Sequence, residues 1–204
     1  SSLLGDLLHR PIFCYANVPY RIKPFEALLE NPKSTVVYDK ELAAKIEQRI
    51  HAIGADGKLV LDPSNNVYQV NLLEKLLVTL LCRLGNLVID GGIWMNTQRP
   101  EWNDANNALV GQGLSMVTLC YLRRYVAFLE DLLAGETRPV TLSTEVSQWL
   151  SETTSALAAI RPLLGGERIS TGQRFETLAK LGQASSRYRQ AIYRPEPFSG
   201  SEKV

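Results

Sequence analysis

The clearest pattern along the chain is a leucine stripe. Leu72, Leu73, Leu76, Leu77, Leu80, Leu81 and Leu84 recur at three-and-four spacing, which predicts a core-facing helix that stops at Gly85-Asn86. From Leu114 to Leu133 the apolar positions are denser and cover most of a helical circumference. Such a pattern predicts a helix buried among other helices, with Arg123-Arg124 and Glu130-Asp131 as its outward strip and Gly135 as its end. Val146, Trp149, Leu150, Leu157, Ala158, Ile160 and Leu164 predict a third helix, closed by Gly165-Gly166, with Trp149 in the core. A fourth opens at Ser170, where Gln173 gives capping-box spacing, and runs through Phe175, Leu178, Leu181, Tyr188, Ile192 and Tyr193 to Pro195. Nearer the start, Asp39 is placed to cap a helix carrying Leu42, Ala43, Ile46, Ile50 and Ile53, which Gly54 closes.

Extended signals are short. Ile12-Phe13-Cys14-Tyr15, Thr35-Val36-Val37-Tyr38 and Lys58-Leu59-Val60-Leu61 each read as a brief extended piece, the third after an Asp56-Gly57 turn. None alternates long enough to predict a sheet. The expected fold is therefore all-α: helical hairpins in one domain over residues 1–193, with short irregular extended pieces. Residues 194–204, with Pro195, Pro197 and Ser199-Gly200-Ser201, read as a loose tail.

Composition narrows the function. The 204 residues are 45% hydrophobic and 21% charged, with a net charge of +1. That balance points to neither nucleic acid nor an anionic membrane as partner. No apolar run reaches the ~18 residues of a membrane span. The first residues lack the basic and apolar regions of a secretion signal, and the chain begins without Met, as a processed chain or a piece of a longer one would. Cys14, Cys82 and Cys120 are odd in number and lack metal-ligand spacing, so they are expected as buried, reduced thiols in a cytoplasmic protein. His9 and His51 stand apart from other ligand types. No metal and no cofactor is expected.

The segment between the leucine helix and the denser apolar helix is where chemistry concentrates. It reads Asp90-Gly-Gly-Ile-Trp94, then Arg99-Pro-Glu101-Trp102-Asn103-Asp104-Ala-Asn106-Asn107, and ends Gly111-Gln-Gly113. Tryptophan faces offer flat apolar platforms, and carboxylates with amides offer hydrogen bonds, the combination a sugar requires. Cleavage of a glycoside needs an acid to protonate the departing oxygen. Asp104, beside Trp102, is the candidate acid, and Glu101, three positions back, is the candidate second catalytic carboxylate. Trp102, Asn103, Asn107, Trp94 and Arg99 are candidate substrate-binding residues. The competing role for Asp104 is an N-cap or turn residue ahead of the following helix. A non-catalytic helical domain gripping a glycan or protein partner is the alternative function.

Pro100-Glu101-Trp102-Asn103-Asp104-Ala105-Asn106-Asn107, followed by Gly111 and Gly113-Leu114-Ser115-Met116-Val117, resembles the Trp-Asn-Asp-Gly segment and helix start of cellobiose and cellodextrin phosphorylases. About 25 residues carry the likeness. It implies a general acid at Asp104, an oligosaccharide or glycoside substrate, and membership of the six-hairpin glycosidases with an (α/α)6 toroid, of which residues 114–133 would be an inner helix. Ala105 stands where the family has Gly, and Leu114 where it has Glu. The family's phosphate-binding His has no counterpart, which leaves hydrolysis and phosphorolysis both open. Roughly twelve helices make a toroid and about six are predicted here. The chain is therefore expected to belong to a larger chain, or to self-associate over an exposed apolar flank.

Overall fold

The computed structural model describes residues 3–96, 109–166, 168–195 and 197–204. In order, its elements are α1 (Leu3–His9), β1 (Phe13–Cys14), β2 (Tyr20–Ile22), α2 (Phe25–Glu30), β3 (Val36–Tyr38), α3 (Lys40–Ile53), β4 (Gln69–Val70), α4 (Leu72–Leu84), β5 (Leu87–Val88), β6 (Gly92–Trp94), β7 (Leu114–Ser115), α5 (Met116–Leu133), β8 (Thr141–Ser143), α6 (Thr144–Ile160), α7 (Thr171–Ile192) and β9 (Ser201–Lys203). Short 3-10 turns follow α3 and α6, at Gly54–Lys58 and Arg161–Leu163.

Local capping places the helices. The Asp39 carboxylate accepts from Leu42 N at 2.9 Å to start α3, and Gly54, at φ 75°, ends it. Ser170 and Gln173 form a complete capping box at the head of α7. α4 starts on Asn71, whose side chain accepts from Glu74 N at 3.0 Å.

α4 is the hub, touching α1, α5, α6 and α7. Its Leu73 and Leu77 pack with Leu8, Val140 and Leu142. One turn further on, Leu81 packs with Val146, Trp149, Ala184 and Tyr188. A fully buried leucine is worth about 1.5–3 kcal/mol, so this one column accounts for a large share of the core. Trp149 is 2% exposed, as its place in the helical pattern predicted. α6 and α7 make the largest helix–helix contact. α2 crosses α7 closely because Gly182 has no side chain; a Cβ there would lie 2.2 Å from the Phe25 ring.

Three expectations are corrected. The fold is not all-α and not part of an (α/α)6 toroid. Among the described residues, seven α-helices accompany short strands in four small sheets, too few helices to close such a ring. The strands escape a reading by periodicity because each is two or three residues long and most pair with remote segments: β1 with β4, β2 with β3, β8 with β9. The second correction concerns α5. Only Leu122 and Leu129 are buried on it, whereas Val117 is 67%, Tyr121 64% and Phe128 53% exposed. Apolar residues all round a helix do not say which sides have neighbours; this helix packs chiefly on α4 and β6. Third, Cys82 and Cys120 are exposed and Cys14 is half-buried, with no disulfide among the described residues.

The segment read as a loose tail is held in place. β9 pairs antiparallel with β8, and Phe198 stacks on Tyr68 with ring centroids 4.3 Å apart. No helix among the described residues is long and apolar enough to cross a membrane.

Candidate functional site

Asp104, Glu101, Trp102, Asn103, Asn107 and Arg99 lie outside the described residues. The frame that carries them is described. β5 and β6 form a hairpin through Asp90, a left-handed residue at φ 57°, and β7 adds to β6 with Ile93 opposite Ser115 and Trp94 opposite Leu114. Beyond the ladder, Met95 N donates to Gly113 O at 3.0 Å, and Gly111 N donates to Met95 O. The chain therefore leaves at Asn96 and re-enters at Leu109 through one hydrogen-bonded neck. Gly111 is at φ 84°, and a Cβ there would meet Pro32 at 3.1 Å, so both backbone conformation and space favour glycine.

Asn86, just past the end of α4, ties this neck to the core. Its carbonyl accepts from Trp94 N at 2.8 Å, and its side-chain oxygen accepts from Asn96 Nδ2 at 2.7 Å. Asn96 is buried. Trp94, a candidate sugar platform, is half-buried, and its indole N–H donates to Gly111 O at 3.3 Å, across the neck. Its observed contact is therefore with the frame. Arg174 reaches Asp90 at 3.2 Å and ties α7 to the same hairpin. Directly after the ladder, the Ser115 hydroxyl accepts from Thr118 N at 3.1 Å and caps α5. The N-cap of that helix is thus filled by Ser115.

A second polar constellation lies at the opposite end of α4, and sequence reasoning missed it. Glu74 is 1% exposed and sits in the buried column with Leu73, Leu77 and Leu81. Its Oε1 accepts from Tyr15 OH at 2.9 Å and from Ser143 Oγ at 2.7 Å, and its Oε2 accepts from Ser143 N at 2.7 Å. With the Ser143 proton given to Glu74, Tyr68 OH is the donor in its 2.9 Å contact with Ser143 Oγ. Asn71 Nδ2 donates to Thr141 O at 2.6 Å. The Lys75 ammonium binds Cys14 O at 2.8 Å and lies 4.1 Å from the Tyr15 ring centroid. Phe198 stacks against both Tyr15 and Tyr68. The available signal was the Asn71–Glu74 spacing at the head of the leucine stripe, which marks a helix start but says nothing of distant partners.

Burial, and then the Glu74 charge, push the Tyr15 hydroxyl far above its ordinary pKa of 10.0. Burial likewise raises Tyr68 and lowers Lys75. The arrangement binds N-terminal chain, α4, β8 and C-terminal chain into one network, and a carboxylate this enclosed has no route to a substrate. Its role is to fix the fold.

That network makes stability sensitive to alkali. A tyrosine whose folded pKa is raised stays protonated when the unfolded chain ionises. Its contribution is therefore complete below pH ~10 and is lost as pH rises above that value. Tyr15→Phe is expected to lower stability by about 1.5–3 kcal/mol at pH 7, the value of a hydrogen bond to a charged group. Above pH ~10 it should also flatten the fall in stability by roughly 1.4 kcal/mol per pH unit. Urea midpoints at pH 8 and pH 11 for both proteins measure this. Equal slopes above pH 10 would show that Tyr15 does not hold its proton through the fold.

A groove of about 360 Å³ runs between the β2–β3 hairpin and the end of α7, lined by Arg21, Lys23, Val37, Gln190, Tyr193 and Arg194 among others. Trp94, the one predicted site residue among the described residues, does not line it. Among the described residues no three His, Cys, Asp or Glu side chains gather as a metal site. No protein-family model matches the chain, and no curated protein matches it.

Proposed function

We propose that the chain is a carbohydrate-active enzyme that cleaves a glycosidic bond, with Asp104 as the general acid. One observation carries the reading. Ser115 fills the N-cap of α5, so the acidic and aromatic segment 97–108 is not needed to start that helix. The described residues on either side of the segment, Asn96 and Leu109–Gly113, are held by the ladder neck, with Asn86 bonded to Asn96 and the Trp94 indole bonded across to Gly111. Well-supported flanking elements are the usual arrangement around a site that must hold reacting groups in register. Asp104 protonates the leaving oxygen, Trp102 stacks on the sugar, Asn103, Asn107 and Arg99 hold hydroxyls, and Glu101 keeps the acid protonated by its like charge. Trp94 then braces the neck beside the segment.

The test is reducing-sugar release from an oligosaccharide panel, with and without phosphate, by wild type and Asp104→Asn. The variant is expected to lose about 10²–10⁴-fold on substrates with unactivated leaving groups. It should lose far less on aryl glycosides, whose leaving groups need no proton. A folded Asp104→Asn protein that cleaves both at wild-type rates removes Asp104 from the acid role. Binding of glycans on an array without any cleavage by wild type would favour a non-catalytic glycan-binding module.

A further inference from the structure

We infer that α5 is the docking face for a second copy of this chain, packed antiparallel about a two-fold axis near Ala127. The inference is independent of the proposed activity. The outward face of α5 is unusually apolar for one turned to solvent: Met116, Val117, Cys120, Tyr121, Ala127 and Phe128 are all exposed. An uncovered patch of this kind usually marks an interaction surface.

The charges on the face identify the occupant. Arg123 and Glu130 lie on one flank, two turns apart, and Arg124 and Asp131 lie on the other flank with the same spacing. None of the four forms an ion pair with a described residue; Arg124 only lies over the Tyr121 ring, at 5.8 Å. When two copies of one helix meet antiparallel, like flanks face each other and the order along the axis reverses. Arg123 then meets Glu130 of the partner subunit, and Arg124 meets Asp131 of the partner subunit, on both sides of the axis at once. A parallel pairing in register would instead set Arg beside Arg and acid beside acid. Residues between the flanks allow close approach. Cys120, Ala127 and Ala134 are small, exposed and evenly spaced at two-turn intervals, so that the same axis sets Ala127 against its symmetry mate and Cys120 against Ala134 of the partner subunit. The surface is self-complementary in shape and charge, as an isologous interface must be.

Sedimentation equilibrium on the chain between 1 and 100 μM tests this. Wild type is expected to dimerise within that range, less strongly at 1 M NaCl because rim pairs are screened. Arg123→Glu with Arg124→Glu places four like-charge contacts across the axis and should weaken the dimer by about 100-fold or more. Adding Glu130→Arg and Asp131→Arg restores every pair and should restore the dimer. Ala134→Cys should give an oxidant-dependent covalent dimer through Cys120 of the partner subunit, abolished by Cys120→Ser. Within one chain the two positions lie roughly 21 Å apart along a helix and cannot bridge. A wild type that stays monomeric at 100 μM overturns the inference. So does a dimer that is indifferent to the charge reversal, since it would use another surface.

Discussion

Glu74→Ala is expected to cost about 3–5 kcal/mol of folding stability, with a fall in Tm on the order of 10 °C for a chain of this size. Glu74 is 1% exposed, and removing its carboxylate strips acceptors from Tyr15 OH, Ser143 N and Ser143 Oγ together. Each buried donor left without a partner costs about 1–3 kcal/mol. The Ser143 hydroxyl can turn toward Tyr68 only by displacing the proton Tyr68 already donates to it, and the Ser143 backbone N–H cannot turn. Glu74→Gln separates charge from geometry. Its carbonyl can accept from Ser143 N while its amide donates to Tyr15 and Ser143, whose hydroxyl protons are free to rotate, so the expected loss is only about 1–2 kcal/mol. Urea unfolding of both variants at pH 7 measures the difference. A Glu74→Ala protein within 1 kcal/mol of wild type would mean that the network is not the clamp described here.

Trp149→Ala should be comparably damaging, at about 3–5 kcal/mol. The indole stacks on Tyr188 with centroids 4.2 Å apart, and its N–H donates to Ser185 Oγ at 3.2 Å. Truncation opens a void in the cluster formed by Leu81, Val146, Ala184 and Tyr188, where α4, α6 and α7 meet. Trp149→Phe keeps most of the apolar contact and loses the hydrogen bond, so its expected loss is about 1–2 kcal/mol. Thermal melts of the pair, with near-ultraviolet circular dichroism to follow the Trp149–Tyr188 stack, provide the check. Equal melting of the alanine variant and wild type would show that the three helices do not rely on this contact.

The two clusters differ in how far they could be foreseen. Trp149 was legible as core because its neighbours on α6 recur at helical spacing. Glu74 sits in an equally regular position on α4, yet a carboxylate in an apolar column reads as a solvated residue unless its partners are known. Those partners are 59 and 69 residues away. The candidate site residues between 99 and 107 stand differently again. Trp102, Asp104 and their neighbours suggested chemistry from residue types alone; they lie outside the described residues, and the structure adds only the neck on either side of them and the Ser115 cap that starts α5.

Whatever depends on residues within a turn or two of each other was decided by the sequence itself. The caps at Asp39 and Ser170, the leucine column of α4 and the boundaries at Gly54 and Gly85 belong to this group, because a capping side chain and the N–H it binds are covalently near neighbours. Only the tertiary structure decided which strands pair, that residues 201–203 close a sheet with 141–143, and that one side of α5 faces outward. Strand partners and helix neighbours are selected by proximity in space, and a two-residue strand or an all-round apolar helix carries no mark of which distant segment it will meet.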